Sequence, residues 1–170
     1  MNFERVNTRQ ENFDARTRLA ELEASGLYVF HGSPYKIETL EPRQAYNAPE
    51  PEGKAIPHGE PSVAASPYAD VAIFRAIING ENIKMPHSSS FGADIDEENK
   101  KVSLHFEVSE DARPKIETAK GYVYVLARDK FKPFENEQGM EWRSAESAQP
   151  VEIIEVSGQD MPDKVDYLAN

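Results

Sequence analysis

Gly121–Ala127 reads GYVYVLA, a short uncharged run of β-branched and aromatic residues, and it is the strongest strand signal in the chain. Val151–Val156, VEIIEV, supplies a second strand, and a short third is expected around Glu141-Trp142-Arg143. Upstream, Val102, Leu104, Phe106 and Val108 alternate with polar neighbours, the pattern of a half-buried strand. Further back, Leu27-Tyr28-Val29-Phe30 forms a β-prone run stopped by His31-Gly32-Ser33-Pro34, and Ser62-Val63-Ala64-Ala65 reads as a small-residue strand. His31 is therefore expected at a strand end.

Two segments carry helical periodicity. From about Gln10 to Ser25, Phe13, Leu19 and Leu22 fall near one face, and Gly26 is placed to close the helix in a left-handed conformation. Ser66-Pro67 reads as an N-cap followed by proline at the first helical position. That helix is expected to run to about Asn79, with Val71, Phe74, Ile77 and Ile78 as its apolar stripe and Gly80 closing it. Residues 41–61 hold five prolines and read as a long irregular loop, and 81–100, with Ser-Ser-Ser-Phe-Gly and an acidic cluster, read as a second loop. Strands clustered after early helices, without regular βαβ alternation, predict an α+β fold built as a split two-sheet domain with few helices. At 170 residues the whole chain is expected to form one domain, with residues 1–26 as an N-terminal helical segment.

Composition narrows the function. The formal net charge of -11, from 30 acidic and 19 basic residues, opposes phosphate attraction and disfavours a nucleic-acid partner. With no cysteine, thiol chemistry is excluded; the four isolated histidines show no zinc-type spacing, so no metal is expected. No apolar run reaches membrane-spanning length and no signal peptide is visible, which predicts a cytoplasmic protein without membrane association. A toxin or effector delivered without a cleaved signal would read the same way.

Three groups stand at predicted element ends: His31-Gly32-Ser33, Ser66 with its helix, and Glu141-Trp142. Together they resemble the ADP-ribosyltransferase superfamily, in the His-Tyr-Glu branch that includes the poly-ADP-ribose polymerases. The resemblance implies NAD as substrate, with His31 on the adenosine ribose and Gly32 gripping the nicotinamide amide through its backbone. Ala65-Ser66 followed by Ala72-Ile73-Phe74 is similar to the second family element, which makes Phe74 the nicotinamide-stacking residue and Tyr68 a poorer candidate. Met140-Glu141-Trp142-Arg143 resembles the third, which implies that Glu141 binds the 2′-hydroxyl of the nicotinamide ribose and stabilises an oxocarbenium-like sugar. The family's second-motif tyrosine would fall near Val63, where this chain has no aromatic; Tyr35 or Tyr46 is an alternative supplier from a loop.

The last third also resembles the rifamycin ADP-ribosyltransferases, through Tyr122-Val123-Tyr124-Val125, Phe134-Glu135-Asn136, Trp142-Arg143-Ser144 and Pro150 to Val156. The implied activity is mono-ADP-ribosyl transfer with nicotinamide release, catalysed by Glu141 and His31. His31, Gly32, Ser33, Ser66, Phe74 and Tyr68 would bind NAD, and the acceptor, a protein or a small molecule, is not specified by the sequence. Three rivals stand beside it: an inactive domain of the same fold that binds a nucleotide or protein, a tRNA 2′-phosphotransferase, and an acidic interaction protein.

Overall fold

The computed structural model describes residues 14–47, 56–134 and 139–169. Positions 1–13, residues 48–55 of the proline-rich loop, and the Glu135-Asn136 portion of the rifamycin-type resemblance lie outside them, as does Phe13 of the predicted first helix. Helix α1, Ala15–Ser25, opens on the Asp14 side chain, which accepts from the Arg16 N–H, and closes on Gly26 at φ 71°. Ala15, Leu19 and Leu22 are its buried residues, the two leucines as its periodicity predicts.

Three small sheets and a two-stranded ribbon follow, an α+β arrangement with few helices. In the first, β1 (Tyr28–Ser33), β7 (Lys120–Ala127) and β10 (Glu152–Ser157) run antiparallel with β7 in the centre. The second has β4 (Val63–Ala65), β9 (Trp142–Ser144) and β8 (Lys132–Pro133) in the order β4-β9-β8. The third joins β5 (Ser89–Asp96) to β6 (Lys101–Ser109) as a hairpin, with β11 (Val165–Leu168) parallel to β6. The ribbon pairs β2 (Tyr46–Asn47) with β3 (Ile56–Pro57).

The apolar content of GYVYVLA follows from its place. Val123 and Val125 point into one buried cluster, with α2 (Ala69–Ile77), while Tyr124 and Leu126 point into another on the opposite face of the sheet. A strand covered on both faces has no solvent side on which to place polar residues. Helix α2 sits unusually close to this sheet. A Cβ on Gly32 would lie 1.9 Å from the Ala72 carbonyl oxygen, and one on Gly121 would lie 2.2 Å from that of Ala76. Two glycines on neighbouring strands and two alanines on the helix therefore permit backbone-to-backbone packing.

Three expectations need correction, the first being that residues 41–61 are an irregular loop, since β2 and β3 pair within them. Residues 81–100 are not a loop throughout: 81–88 are irregular, but Ser89–Asp96 is a strand, followed by a turn containing Lys100 at φ 52°. The strand lacked a hydrophobic signature because it is a largely exposed edge, and its pairing with β6 overrides weak intrinsic preference. The helix after β4 starts at Ala69, not at Pro67, because Ser66 is still held extended: its N–H and C=O exchange bonds of 2.8 and 2.7 Å with Phe30. Tyr68 occupies the N-cap without a side-chain bond, and the Glu23 carboxylate of α1 accepts from the Ala69 N–H at 2.7 Å in its place. The sequence pattern had not marked β11 or the short helix α3 (Arg113–Glu117). No helix among the described residues is long and apolar enough to cross a membrane.

Candidate functional site

The register of two strand pairs brings three distant segments together. The Phe30–Ser66 bridge sets β1 against the end of β4. Strand β4 pairs with β9 so that Ala65 faces Trp142, and continuing that register by one residue places Glu141 across from Ser66. His31, Gly32, Ser66 and Glu141 consequently line one cleft chamber. A second, outer chamber is lined by His31 together with Ser33, Tyr35, Arg43 and Gln44 among others. His31 and Ala64 are common to both walls.

The His31 tautomer is fixed by its partner. Nδ1 lies 2.6 Å from the Ala64 carbonyl oxygen, which only accepts, so Nδ1 carries the proton and a neutral ring leaves Nε2 as an acceptor. Burial, the largest influence, pushes the imidazole below its ordinary range; the bond to Ala64 opposes this, and the Arg75 and Arg43 charges add to it.

Gly32 contributes its peptide group. Phe30 directs its N–H and C=O outward to Ser66, so strand alternation directs those of Gly32 to the same edge. Among the described residues no backbone partner meets them there. An N–H donor beside a C=O acceptor on an open edge suits a primary carboxamide. Its missing Cβ admits the backbone of α2.

Glu141 is clamped. Arg143 donates from Nε at 3.0 Å and from Nη2 at 2.8 Å, both to Oε2, and from Nη1 to the His58 carbonyl at 2.7 Å. Its guanidinium also lies 3.7 Å from the centre of the Phe134 ring. The side chains of Arg143 and Glu141 are only 10% and 17% exposed, so the pair is largely withdrawn from solvent screening. Oε1 makes no hydrogen bond among the described residues, which leaves one oriented acceptor in the chamber wall.

Not every predicted residue reaches the cleft. Phe74 does not: it is 2% exposed, packed against Phe106 with ring centres 5.0 Å apart, because its place on the apolar stripe of α2 points it into the core. Tyr68 is spent on the start of α2 and lines neither chamber. Ser33 lines the outer chamber, where its Oγ accepts from the Tyr35 N–H. Tyr35 stands there too, bonded to Glu81 at 2.9 Å, whereas Tyr46 is exposed on β2 and lines neither chamber.

Besides Phe30, the inner chamber is lined by the aromatic Phe91, delivered by the hairpin strand β5, with the Arg75 guanidinium 5.0 Å from its centre. A lone phenylalanine within SSSFGAD and a lone arginine within the apolar ADVAIFRAI were the available signals for these two residues. Among the described residues no group of three or more histidine or acidic side chains is placed to hold a metal ion. Comparison with family models, curated proteins and solved structures gives no match to this chain.

Proposed function

We propose that this chain is a NAD-dependent mono-ADP-ribosyltransferase that releases nicotinamide and passes ADP-ribose to a protein or small-molecule acceptor. The observation that carries this is the meeting of His31, Gly32, Ser66 and Glu141, from three separate strand ends, on one chamber. In this arrangement nicotinamide enters the inner chamber, its carboxamide exchanging hydrogen bonds with the Gly32 peptide and its ring lying against Phe91. The ribose 2′-hydroxyl donates to Oε1 of Glu141. A ribose hydroxyl nearer the adenosine donates to Nε2 of His31, and the adenosine occupies the outer chamber.

The chemistry follows from where the charge sits. Breaking the bond between ribose C1′ and the pyridinium nitrogen sends the electron pair to nicotinamide, which leaves neutral. The sugar becomes oxocarbenium-like, and a fixed carboxylate with little solvent around it lowers that barrier. The acceptor nucleophile then bonds to C1′, discharging the sugar cation, and passes its proton to water. Arg143 prevents Glu141 from turning away, so no orientation has to be found during the reaction.

The Arg143 clamp also favours a second reading, in which the cleft binds a nucleotide without turnover, because a cation beside Oε2 weakens the field available to the sugar. A crystal of the protein with a non-cleavable NAD analogue tests the placement. The carboxamide is expected on the Gly32 peptide with the ring on Phe91; an analogue bound outside the cleft, or with its adenine in the inner chamber, would overturn the proposal.

A further inference from the structure

Two arginines flank His31 in a manner the cleft's proposed chemistry has not used. Arg75 lines the inner chamber and Arg43 the outer one. Both are exposed, and both are close enough to His31 for their charges to act on its imidazole. Neither guanidinium has a carboxylate within ion-pairing distance among the described residues. This is notable in a chain with 30 acidic residues, where Arg16 pairs with Asp70, Arg18 with Glu152 and Arg143 with Glu141. Arg128 and Arg113, which also lack a carboxylate partner, lie on the rings of Trp142 and Tyr167. Arg43 makes no side-chain hydrogen bond at all among the described residues, and Arg75 rests only on the Phe91 ring. Glu41 shares the outer wall without pairing with Arg43.

Two unneutralised cations, one lining each of two chambers that share His31 and Ala64, fit a ligand that carries its negative charge in the middle and an uncharged or flat group at each end. We propose that Arg43 and Arg75 clamp a diphosphate bridge, so that the cleft selects a diphosphate-linked dinucleotide over a nucleoside or a free phosphate ion. The inference deepens the NAD reading and rests on the same cleft, but it concerns binding and needs no turnover. Guanidinium donors suit phosphate oxygens, and charge-assisted bonds of this kind are the stronger class.

Calorimetric titration of the full chain with ADP-ribose, adenosine and inorganic pyrophosphate tests it, using wild type, Arg43→Gln, Arg75→Gln and the double variant. Both side chains are exposed, so thermal melting should show the variants folded. Each single substitution should weaken ADP-ribose binding about tenfold, leave adenosine unchanged, and reduce the loss of ADP-ribose affinity with added salt. Unchanged ADP-ribose affinity in the double variant would overturn the clamp, as would a parallel loss for adenosine. Pyrophosphate binding as tightly as ADP-ribose would overturn the selection for a dinucleotide. Arginine-dependent ADP-ribose binding without nicotinamide release would leave the clamp standing and remove the transferase reading. NAD cleavage by the double variant at unchanged KM would do the reverse.

Discussion

Replacing Gly121 with alanine should cost this fold a large part of its stability, although the change adds one methyl group at a position remote from the cleft. The new Cβ would lie 2.2 Å from the Ala76 carbonyl oxygen and 2.8 Å from its carbon. Both obstructing atoms belong to the backbone of α2, so no side-chain rotation relieves the clash, and the helix must retreat by roughly an ångström in a closely packed interior. Overpacking of this kind costs about 3 kcal/mol, the upper part of the usual range. For a chain of this size that is a fall of about 6–12 °C in Tm. Differential scanning calorimetry of Gly121→Ala beside Gly80→Ala gives the comparison. Gly80 has nothing within 4 Å of its Cβ position and its φ is not in the left-handed region, so its variant should stay within about 0.5 kcal/mol of wild type. A Gly121→Ala protein that melts like wild type would show that α2 does not seat on the sheet. The positions of Ala72 and Arg75 in the cleft would then be wrong as well.

Other substitutions separate capping, charge and positioning. Glu23→Ala should destabilise by about 1 kcal/mol, because the Ala69 N–H loses its acceptor. Glu23→Gln should cost much less at pH 7: it keeps an acceptor oxygen and removes a carboxylate whose pKa burial pushes up; urea unfolding of both variants decides. The His31 imidazole should titrate below the ordinary range in NMR, chiefly because burial disfavours its charge, and Arg75→Gln should move it upward. Since the folded state then binds fewer protons than the unfolded chain, the stability contributed by neutral His31 is complete above the ordinary imidazole range. It is lost as pH falls from there through the depressed value, so wild type should lose stability on acidification that His31→Gln retains. If the transferase proposal holds, Arg143→Lys should lower kcat with little change in KM, because Lys offers a point charge where Oε2 now receives two fixed donors. A rise in KM alone would show that Arg143 binds substrate and does not position Glu141.

The strands of the central sheet were legible because GYVYVLA, VEIIEV and the run ending at His31 concentrate β-branched and aromatic residues. Helix α1 was legible from its period and its closing glycine. Strand β5 was not, since an edge strand with one half-buried aromatic has no pattern until β6 pairs with it. In the cleft, His31, Gly32, Ser66 and Glu141 could be named from short motifs at element ends, but their meeting depends on the Phe30–Ser66 bridge and the β4–β9 register, which are long-range pairings. Phe74 was misassigned because an aromatic on an apolar helical stripe fits both a stacking role and a core role, and only the depth of packing separates them. Phe91 and Arg75 stand out in the sequence only as a lone aromatic in SSSFGAD and a lone cation in ADVAIFRAI, and Arg43 does not stand out at all, so three-dimensional proximity is what assigns them to the cleft.

The most direct test of the account is the release of free nicotinamide from NAD by purified wild-type protein beside its Glu141→Gln variant, with an acceptor-rich extract supplied to both. The variant keeps the shape and loses the charge the sugar cation needs. Release by wild type that falls by about a hundredfold or more in the variant is the predicted result. Equal release by both proteins, or none from wild type while ADP-ribose binds the cleft, would contradict the assignment of Glu141 and of ADP-ribosyl transfer.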